Sequence, residues 1–225
     1  MVKPGTPFLL GAWMLLLSGV AQVDLQPKTA EAFDQNIRSA EDRMQTRIRE
    51  GRFLWVDSAP ERMARVRKGQ VLSEPVIGKG DIQVPDGLIH DWIGAVFLPG
   101  VTVAQTLRFM EDYDNHKRYY QPEVVDSKLV SRDGNDYHIF MRLLKKKILT
   151  VVLNTYHDVH YTELDDHRWY SRSYSTRIAE LDGDRELPPG HDHGFLWRLN
   201  SYWRFAERDG GVYVECEAIS LTRDV

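Results

Sequence analysis

Apolar residues recur every three or four positions between residues 29 and 50, and charged residues occupy most of the positions between them. The apolar positions are Ala30, Phe33, Ile37, Ala40, Met44 and Ile48. This spacing places their side chains on one face of an α-helix, and Gly51 marks its end. The apolar face has to be covered either by the sheet of its own chain or by a partner, and packing within the chain is the commoner arrangement.

A second, shorter helix is predicted after Pro60. Its surface is basic through Arg62, Arg65, Arg67 and Lys68, and a solvated face is the ordinary explanation of such a charge pattern. Glycine and proline residues between positions 75 and 87 then mark a boundary. We therefore expect a helical N-terminal extension over residues 22–80 and a main domain over residues 81–225.

The main domain is predicted to open with a strand and a helix. The strand is the β-rich run from Gly87 to Gly100. In the helix that follows, Thr102 can cap the free amide of Gln105, while the Gln105 side chain can reach back. Six further strands are predicted at Val124–Arg132, Tyr137–Leu144, Ile148–His157, Trp169–Ile178, Phe195–Glu207 and Val212–Thr222. Asp133-Gly134 and Asp209-Gly210-Gly211 are typical of hairpin turns.

The predicted strand at 195–207 alternates most clearly between two kinds of side chain. Phe195, Trp197, Leu199, Ser201, Trp203 and Phe205 form a largely apolar face, and the residues between them form a largely polar one. Several large rings on one curved sheet are hard to pack against a single helix without leaving a cavity. Burial is worth about 0.8 kcal/mol per methylene. A ligand with about a dozen methylenes would therefore gain on the order of 10 kcal/mol before losses.

The alternation also supplies candidate ligand-binding residues. Trp197, Leu199, Trp203 and Phe205 are candidates for apolar contacts, and Arg172, Ser173, Tyr174 and Arg198 are candidates for orienting a polar group. Alternation assigns residues to faces, but it does not tell which face is concave.

An aromatic elbow, DYDNHKRYYQP, connects the helix to the second of the predicted strands. Its key residues are Asp112, Tyr113, His116, Tyr120 and Pro122. The elbow and the order of strand, helix and six further strands resemble the START and Bet v 1-like superfamily (SRPBCC, polyketide cyclase type) over residues 85–225. The segments WIGAVFLPG, LLKKKILTVVLNT, YSRSYSTRIAE and FLWRLNSYWRFAERDGGVYVECEAISLTRD resemble a bacterial branch of it.

The resemblance implies an α+β helix-grip fold, in which a curved antiparallel sheet surrounds an apolar cavity. It further implies binding of lipids, sterols or other apolar molecules and, in some branches, cyclase or hydrolase activity. The superfamily is defined by shape more than by invariant residues, so the resemblance carries no catalytic set. Its long C-terminal helix has no counterpart after the last predicted strand. We therefore expect either a fragment truncated at its C-terminus, which we favour, or a groove closed by the helix at 29–50.

The first 21 residues predict a secretory signal peptide. Lys3 precedes an apolar run from Phe8 to Val20, which is followed by the polar residues Gln22 and Asp24. The run is shorter than the roughly 20 residues of a membrane-spanning helix. Export to the periplasm or the medium is therefore expected, and an uncleaved N-terminal membrane anchor is the alternative.

The composition limits the classes of partner that the chain is expected to bind. The net charge of −4 and the pI near 6.1 argue against a general nucleic-acid binder, which normally has a basic face. The only cysteine, Cys216, cannot form an internal disulfide and is expected to be a small buried residue. Lys145, Lys146 and Lys147 are expected at an exposed hairpin tip. They are a candidate contact for an anionic membrane surface, at about 1 kcal/mol each.

The sequence offers only weak candidates for catalysis or metal binding. Asp112 and His116 combine a carboxylate with an imidazole, which suits acid and base chemistry, but such residues also turn and cap the chain. His191 and His193 share a loop and could hold zinc if further ligands came from elsewhere. His157 and His160 are three apart on a predicted strand and should point to opposite faces. No phosphate-binding loop, dinucleotide fingerprint or nucleophile elbow is present, and no cofactor is expected.

The sequence therefore favours binding or carriage of a hydrophobic small molecule, in particular a lipid, in the cavity of a START-like domain. Two alternatives stay open. The first is a cyclase-type or hydrolase-type enzyme that uses the same cavity, so enzymatic activity is undecided. The second is a protein-interaction module acting through the helix at 29–50.

Overall fold

The computed structural model of the chain describes residues 24–146 and 150–224. The predicted signal peptide and Lys147 therefore lie outside the described residues. The described residues form four helices, α1 Pro27–Arg49, α2 Pro60–Arg67, α3 Val103–Met110 and α4 His116–Tyr119, with short 3₁₀ turns at Trp55–Ser58 and Tyr113–Asn115. In the part of the chain described, no helix is long and apolar enough to cross a membrane.

Over residues 24–146 and 150–224, ten strands form one antiparallel sheet. They are β1 Leu72–Pro75, β2 Asp81–Val84, β3 Gly87–Pro99, β4 Val124–Asp133, β5 Asp136–Lys146, β6 Thr150–Asp165, β7 Arg168–Asp182, β8 Arg185–Glu186, β9 Arg198–Arg208 and β10 Gly211–Arg223. The main order is β1-β3-β10-β9-β7-β6-β5-β4, with β2 paired to β3 and β8 paired to β7. The first long strand, β3, thus pairs with the last, and α3 and α4 are inserted between β3 and β4. This is the predicted helix-grip arrangement.

Local sequence signals explain why some elements begin or end where they were predicted. The Thr102 hydroxyl accepts the Gln105 amide at 3.3 Å, and the Gln105 side chain accepts the Thr102 amide at 2.9 Å, which confirms the capping pair at the start of α3. Asp209 and Gly210 both have positive φ, at 58° and 76°. That conformation suits the tight hairpin between β9 and β10.

Several boundaries differ from the predicted ones. β6 continues to Asp165, beyond the predicted end at His157, and β9 begins at Arg198, after the predicted start at Phe195. The short strands β1, β2 and β8 were not predicted, because runs of two to four residues carry little periodicity. β1 belongs to the predicted extension, yet it pairs with β3 at Leu72↔Ala95. The extension is therefore built into the sheet.

The two faces of the sheet carry different helices. On one face, which we call the α3 face, Val103, Leu107 and Met110 pack with Phe205 and Val214. On the other, the α1 face, helix α1 packs its apolar stripe through three residues that are at most 4% exposed, Phe33, Ala40 and Met44. Adjacent residues of a strand point to opposite faces, so Tyr202 of β9 lies under α1 while Trp203 and Phe205 pack on the α3 side.

The position of α1 answers two predictions from the sequence. Its stripe is covered within the chain, as expected of most amphipathic helices, so the stripe itself is not free for a partner. The helix also lies opposite α3 and does not cover the open part of the α3 face. Within the described residues no helix follows β10.

Candidate ligand-binding site

Three neighbouring strands leave a partly exposed area on the α3 face, which we call the open floor. Its residues are His90, Trp92 and Gly94 of β3, Leu199, Ser201 and Trp203 of β9, and Cys216, Ala218 and Ser220 of β10. They lie in register across the sheet, for example as Trp203↔Cys216↔Gly94. Small side chains therefore form the centre of the floor, and larger apolar side chains stand at its margins.

One end of the open floor passes under α3 and the elbow. The rings of Trp203 and Phe205 are parallel, with centroids 6.5 Å apart, and Phe205 is fully buried while Trp203 stays partly exposed. Tyr120 of the elbow and Leu199 of the open floor pack against the same buried cluster. Burial, with a smaller effect of Cys216, raises the pKa of the Tyr120 phenol. The aromatic layer is thus continuous from the core beneath α3 to the open floor.

His157 of β6 points to the same face as Val159 and Tyr161, which pack beneath α3. Its side chain is only 3% exposed, and neither ring nitrogen has a hydrogen-bond partner among the described residues. Burial lowers the pKa of this imidazole to about 4, against a small opposing effect of Asp158. His160 is bonded to Asp136 at 2.6 Å and partly exposed, which confirms that the two histidines point to opposite faces.

The structure divides the predicted ligand-binding residues between the two faces. Leu199, Trp203 and Phe205 lie on the α3 face, as the alternation predicts. Trp197 does not share that face. It packs with the α1 cluster, and its Nε1 donates to Asp192 at 3.2 Å. The reason is local: β9 begins at Arg198, so strict alternation does not extend back to Trp197.

Two of the predicted orienting residues, Arg172 and Tyr174, belong to the α1 face, whereas Ser173 lies on the α3 face beside Val159 and Ser201. The Tyr174 hydroxyl donates to Glu41 of α1 at 2.5 Å, and the Tyr202 hydroxyl donates to the same carboxylate at 3.0 Å. Arg172 lines a cleft of about 160 Å³ between α1 and the sheet, together with Glu41 and Gln45. Arg172 and Tyr174 are therefore separated by the sheet from Phe205 and the open floor.

A layer of buried charge holds α1 to this face. Arg47 lies 3.2 Å from Glu215, and Arg43 lies 3.3 Å from both Glu217 and Asp91. All three carboxylates are at most 3% exposed. Burial raises the pKa of each carboxyl group, and for Glu217, which also lies near Asp91, the value rises to about 7. These ion pairs hold α1 against the sheet, so the helix covers the polar face of β9.

A larger groove lies on the other side of α1. Its volume is about 730 Å³, and its lining includes Arg43, Arg47, Arg52, Arg62 and Trp55. Each of these arginines lies within ion-pair distance of a carboxylate, as for Arg62 and Glu74 at 3.0 Å. The groove is therefore rich in arginine, but carboxylates of the same chain neutralise the charge of these arginines.

Asp112 and His116 are both used in shaping the elbow. The Asp112 carboxylate accepts from Asn115 at 2.8 Å and from the Tyr119 hydroxyl at 3.2 Å. The His116 ring is 5% exposed, and its Nε2 lies 3.1 Å from the Met110 carbonyl. Burial lowers the pKa of His116. These are the turning and capping roles that compete with catalysis, and a catalytic role stays a prediction.

The loop histidines and the cysteine have local explanations too. His193 Nδ1 lies 2.9 Å from Glu180, and His191 Nδ1 lies 3.3 Å from the Pro189 carbonyl. Among residues 24–146 and 150–224, no group of three or more metal-binding side chains comes together. Burial, with smaller effects of Glu215 and Glu217, raises the pKa of the partly buried Cys216 to about 12, so its thiol is protonated near neutral pH.

Two features were missed from the sequence. His157 was considered only for its spacing to His160. The charged layer had a readable signal, because Glu215 and Glu217 alternate within an otherwise apolar strand while Arg43 and Arg47 are four apart on the long helix. Residues four apart share one helix face, so the two patterns are complementary.

No protein-family model and no curated protein matches the sequence. Solved structures of similar shape include the STAR-related lipid transfer protein from Xanthomonas axonopodis. It is 12% identical with a TM-score of 0.46, over 65% of this chain and 85% of that chain. The human StarD13 lipid transfer and protein localization domain is 8% identical with a TM-score of 0.43, over 76% and 84%.

An aromatase/cyclase from Streptomyces sp. R1128 is 8% identical with a TM-score of 0.39, over 61% of this chain and 70% of that chain. All three similarities concern overall shape. None of them assigns a role to a residue of this chain.

Proposed function

We propose that this chain, whose fold is START/Bet v 1-like, binds a mostly apolar small molecule of the lipid class on its α3 face without covalent chemistry. The observation that carries the proposal is the open floor. Its small central residues and large apolar margins lie beside a buried aromatic core, on the one face that α1 leaves uncovered. Apolar surface of this kind gains about 25 cal/mol for each Å² removed from water.

The open floor suits a small apolar ligand better than a reactive substrate. The thiol of Cys216, which lies on it, is protonated near neutral pH. Asp112 and His116 are engaged in the elbow through hydrogen bonds to neighbouring groups. Carriage in an exported protein is part of the same proposal, and fractionation of the host cell tests the export.

Native mass spectrometry of protein purified gently from its host tests the binding. We expect a retained apolar molecule in the parent protein and its loss from a Ser201→Phe variant, because the added ring would fill the centre of the open floor. Val71→Phe places the same ring at a position that is 75% exposed and serves as the matched control.

Fluorescent lipid analogues added to delipidated protein provide a second measurement. The proposal is overturned if the parent protein neither retains an apolar molecule nor binds any of the analogues. It is also overturned if the Ser201→Phe variant binds as well as the parent and the Val71→Phe control.

A further inference from the structure

Of the two described histidines that are buried, His116 and His157, His157 alone has no partner for its ring. His90, His116, His138, His160 and His193 each place a ring nitrogen within 3.1 Å of an oxygen. His157 is buried, yet its Nδ1 and Nε2 both lack a partner among the described residues. A buried polar group without a partner costs about 1–3 kcal/mol. A neutral imidazole has one donor and one acceptor to satisfy.

The sheet is irregular at this position. Tyr156 pairs with Arg177 but His157 pairs with Ser175, so Thr176 of β7 is left without a counterpart. Such a bulge bends the strand and re-aims side chains, and bulges are common beside functional sites. The irregularity therefore coincides with the one buried imidazole of the described residues that lacks a partner.

Ser175 connects His157 to the open floor. The pairing of β7 with β9 ends at Tyr174↔Asn200, and beyond it the Ser175 hydroxyl accepts the Leu199 amide at 2.9 Å. Leu199 belongs to the open floor, and His157 lies two strands away from it, at about 10 Å for ordinary strand spacing. A molecule lying across the open floor would place one end about two strand spacings from His157, and contact with the ring requires the side chains that bury it to move aside.

The surroundings of His157 define the chemistry of that end. The residues beside it on the α3 face are Thr155, Val159, Ile139 and Ser175, and none of them is charged. The imidazole is itself neutral near pH 7, because burial lowers its pKa to about 4. A neutral ring does not compensate the desolvation of a carboxylate or a phosphate. It can pair with a hydroxyl or a carbonyl group.

We infer that His157 recognises the polar end of the ligand, and that the ligand is a mostly apolar molecule carrying one uncharged hydroxyl or carbonyl group. The inference rests on the proposed function and adds to it that the ligand carries one uncharged polar group. Ligand binding would give one of the two unpaired nitrogens the partner that the described residues do not provide.

The test compares three pyrene-labelled chains of equal length that end in a hydroxyl, a carboxylate or a methyl group. We expect the parent protein to bind the alcohol at least tenfold more tightly than the other two. In a His157→Phe variant this preference should vanish while affinity for the methyl-terminated chain is kept. His160→Phe is the matched control, since it alters the opposite face of the same strand, and it should retain the preference.

The outcomes distinguish a failure of His157 as the recognition group from a failure of the proposed function. If the parent binds all three chains equally, or if the His157→Phe variant keeps the preference for the alcohol, His157 is not the recognition group although the apolar site stands. A preference for the carboxylate overturns the ligand class. Failure of the parent to bind any chain removes the proposed function itself. Should His157→Phe not fold, His157→Leu replaces it in the same comparison.

Discussion

The guanidinium of Arg204 and the carboxylate of Glu215 lie 3.3 Å apart on neighbouring strands, and their side chains are 3% and 1% exposed. Glu215 also accepts the backbone amide of Trp55 and pairs with Arg47 of α1. One carboxylate thus connects two strands, a 3₁₀ turn and the long helix. Burial raises the pKa of Glu215 and lowers that of Arg204, and each ion opposes the shift of the other.

We predict that Arg204→Met destabilises the protein by about 3–5 kcal/mol, because the change leaves the buried Glu215 with less compensation. Adding Glu215→Leu should recover part of that loss, since both charges are then removed. Urea unfolding of the two single variants and the double variant measures the coupling. A loss below about 1 kcal/mol for Arg204→Met would contradict the role given to this pair.

A pH series tests the burial of His157. The folded-state pKa of about 4 lies below the ordinary histidine value of 6.5, so between these values the unfolded chain binds more protons and acid favours unfolding. Relative to His157→Phe, the parent should lose about 1.4 kcal/mol for each pH unit from 6.5 down to 4. Thermal unfolding of both proteins over this range gives the difference. A difference that does not change with pH would mean that the imidazole is solvated.

Glu217 predicts the opposite slope. Its folded-state pKa of about 7 exceeds the ordinary glutamate value of 4.5, so between these values the folded protein keeps a proton that the unfolded chain has released. The contribution is complete below pH 4.5 and is lost as the pH rises to 7. Relative to Glu217→Gln, the parent should therefore become less stable over this interval, by about 1.4 kcal/mol per unit at most.

The groups facing Glu217 are Arg43, Arg47, Arg204 and Asp91. The two arginines of α1 have to be present for the Glu217 measurement to be meaningful, so it is made in the full chain. A parent protein that gains stability relative to Glu217→Gln between pH 4.5 and 7 would show that the arginines outweigh burial.

The apolar stripe of α1 gives a prediction about packing. Phe33 of α1 is 2% exposed. The Phe33→Ala variant should lose about 3–5 kcal/mol of folding stability, because the change removes a buried ring and leaves a cavity. Phe109 of α3 is 43% exposed, so Phe109→Ala is the matched control and should cost less than about 1 kcal/mol. Equal losses in urea unfolding would mean that α1 is not a structural part of the sheet.

Sequence periodicity predicts the elements of this protein well where they are long. The helix at 29–50 and the strand at 87–100 match α1 and β3 within two residues at each end. Short pairings such as Leu72↔Ala95 depend on contacts between distant segments, and no local pattern encodes them. The succession of the long strands along the chain could be predicted from the sequence, because the helix, the elbow and the hairpin turns each have a local sequence signal.

The site was less predictable than the fold. Leu199, Trp203 and Phe205 were assigned to one face because alternation holds within β9. Trp197 lies outside that strand, so alternation could not place it correctly. Arg172 and Tyr174 were grouped with the apolar residues by chemistry alone, while their face is fixed by the long-range pairings Arg172↔Tyr202 and Tyr174↔Asn200, which no local pattern encodes.

The thirteen-residue ladder between β3 and β10 joins the first long strand to the last. Contacts between such distant segments require closure of a very long loop and are made late, which slows folding. Until β10 arrives, the inner edges of β3 and β9 are open to pairing with other chains. Completion of the sheet therefore waits for the synthesis of β10, and a chain whose synthesis stops before β10 would be prone to aggregation.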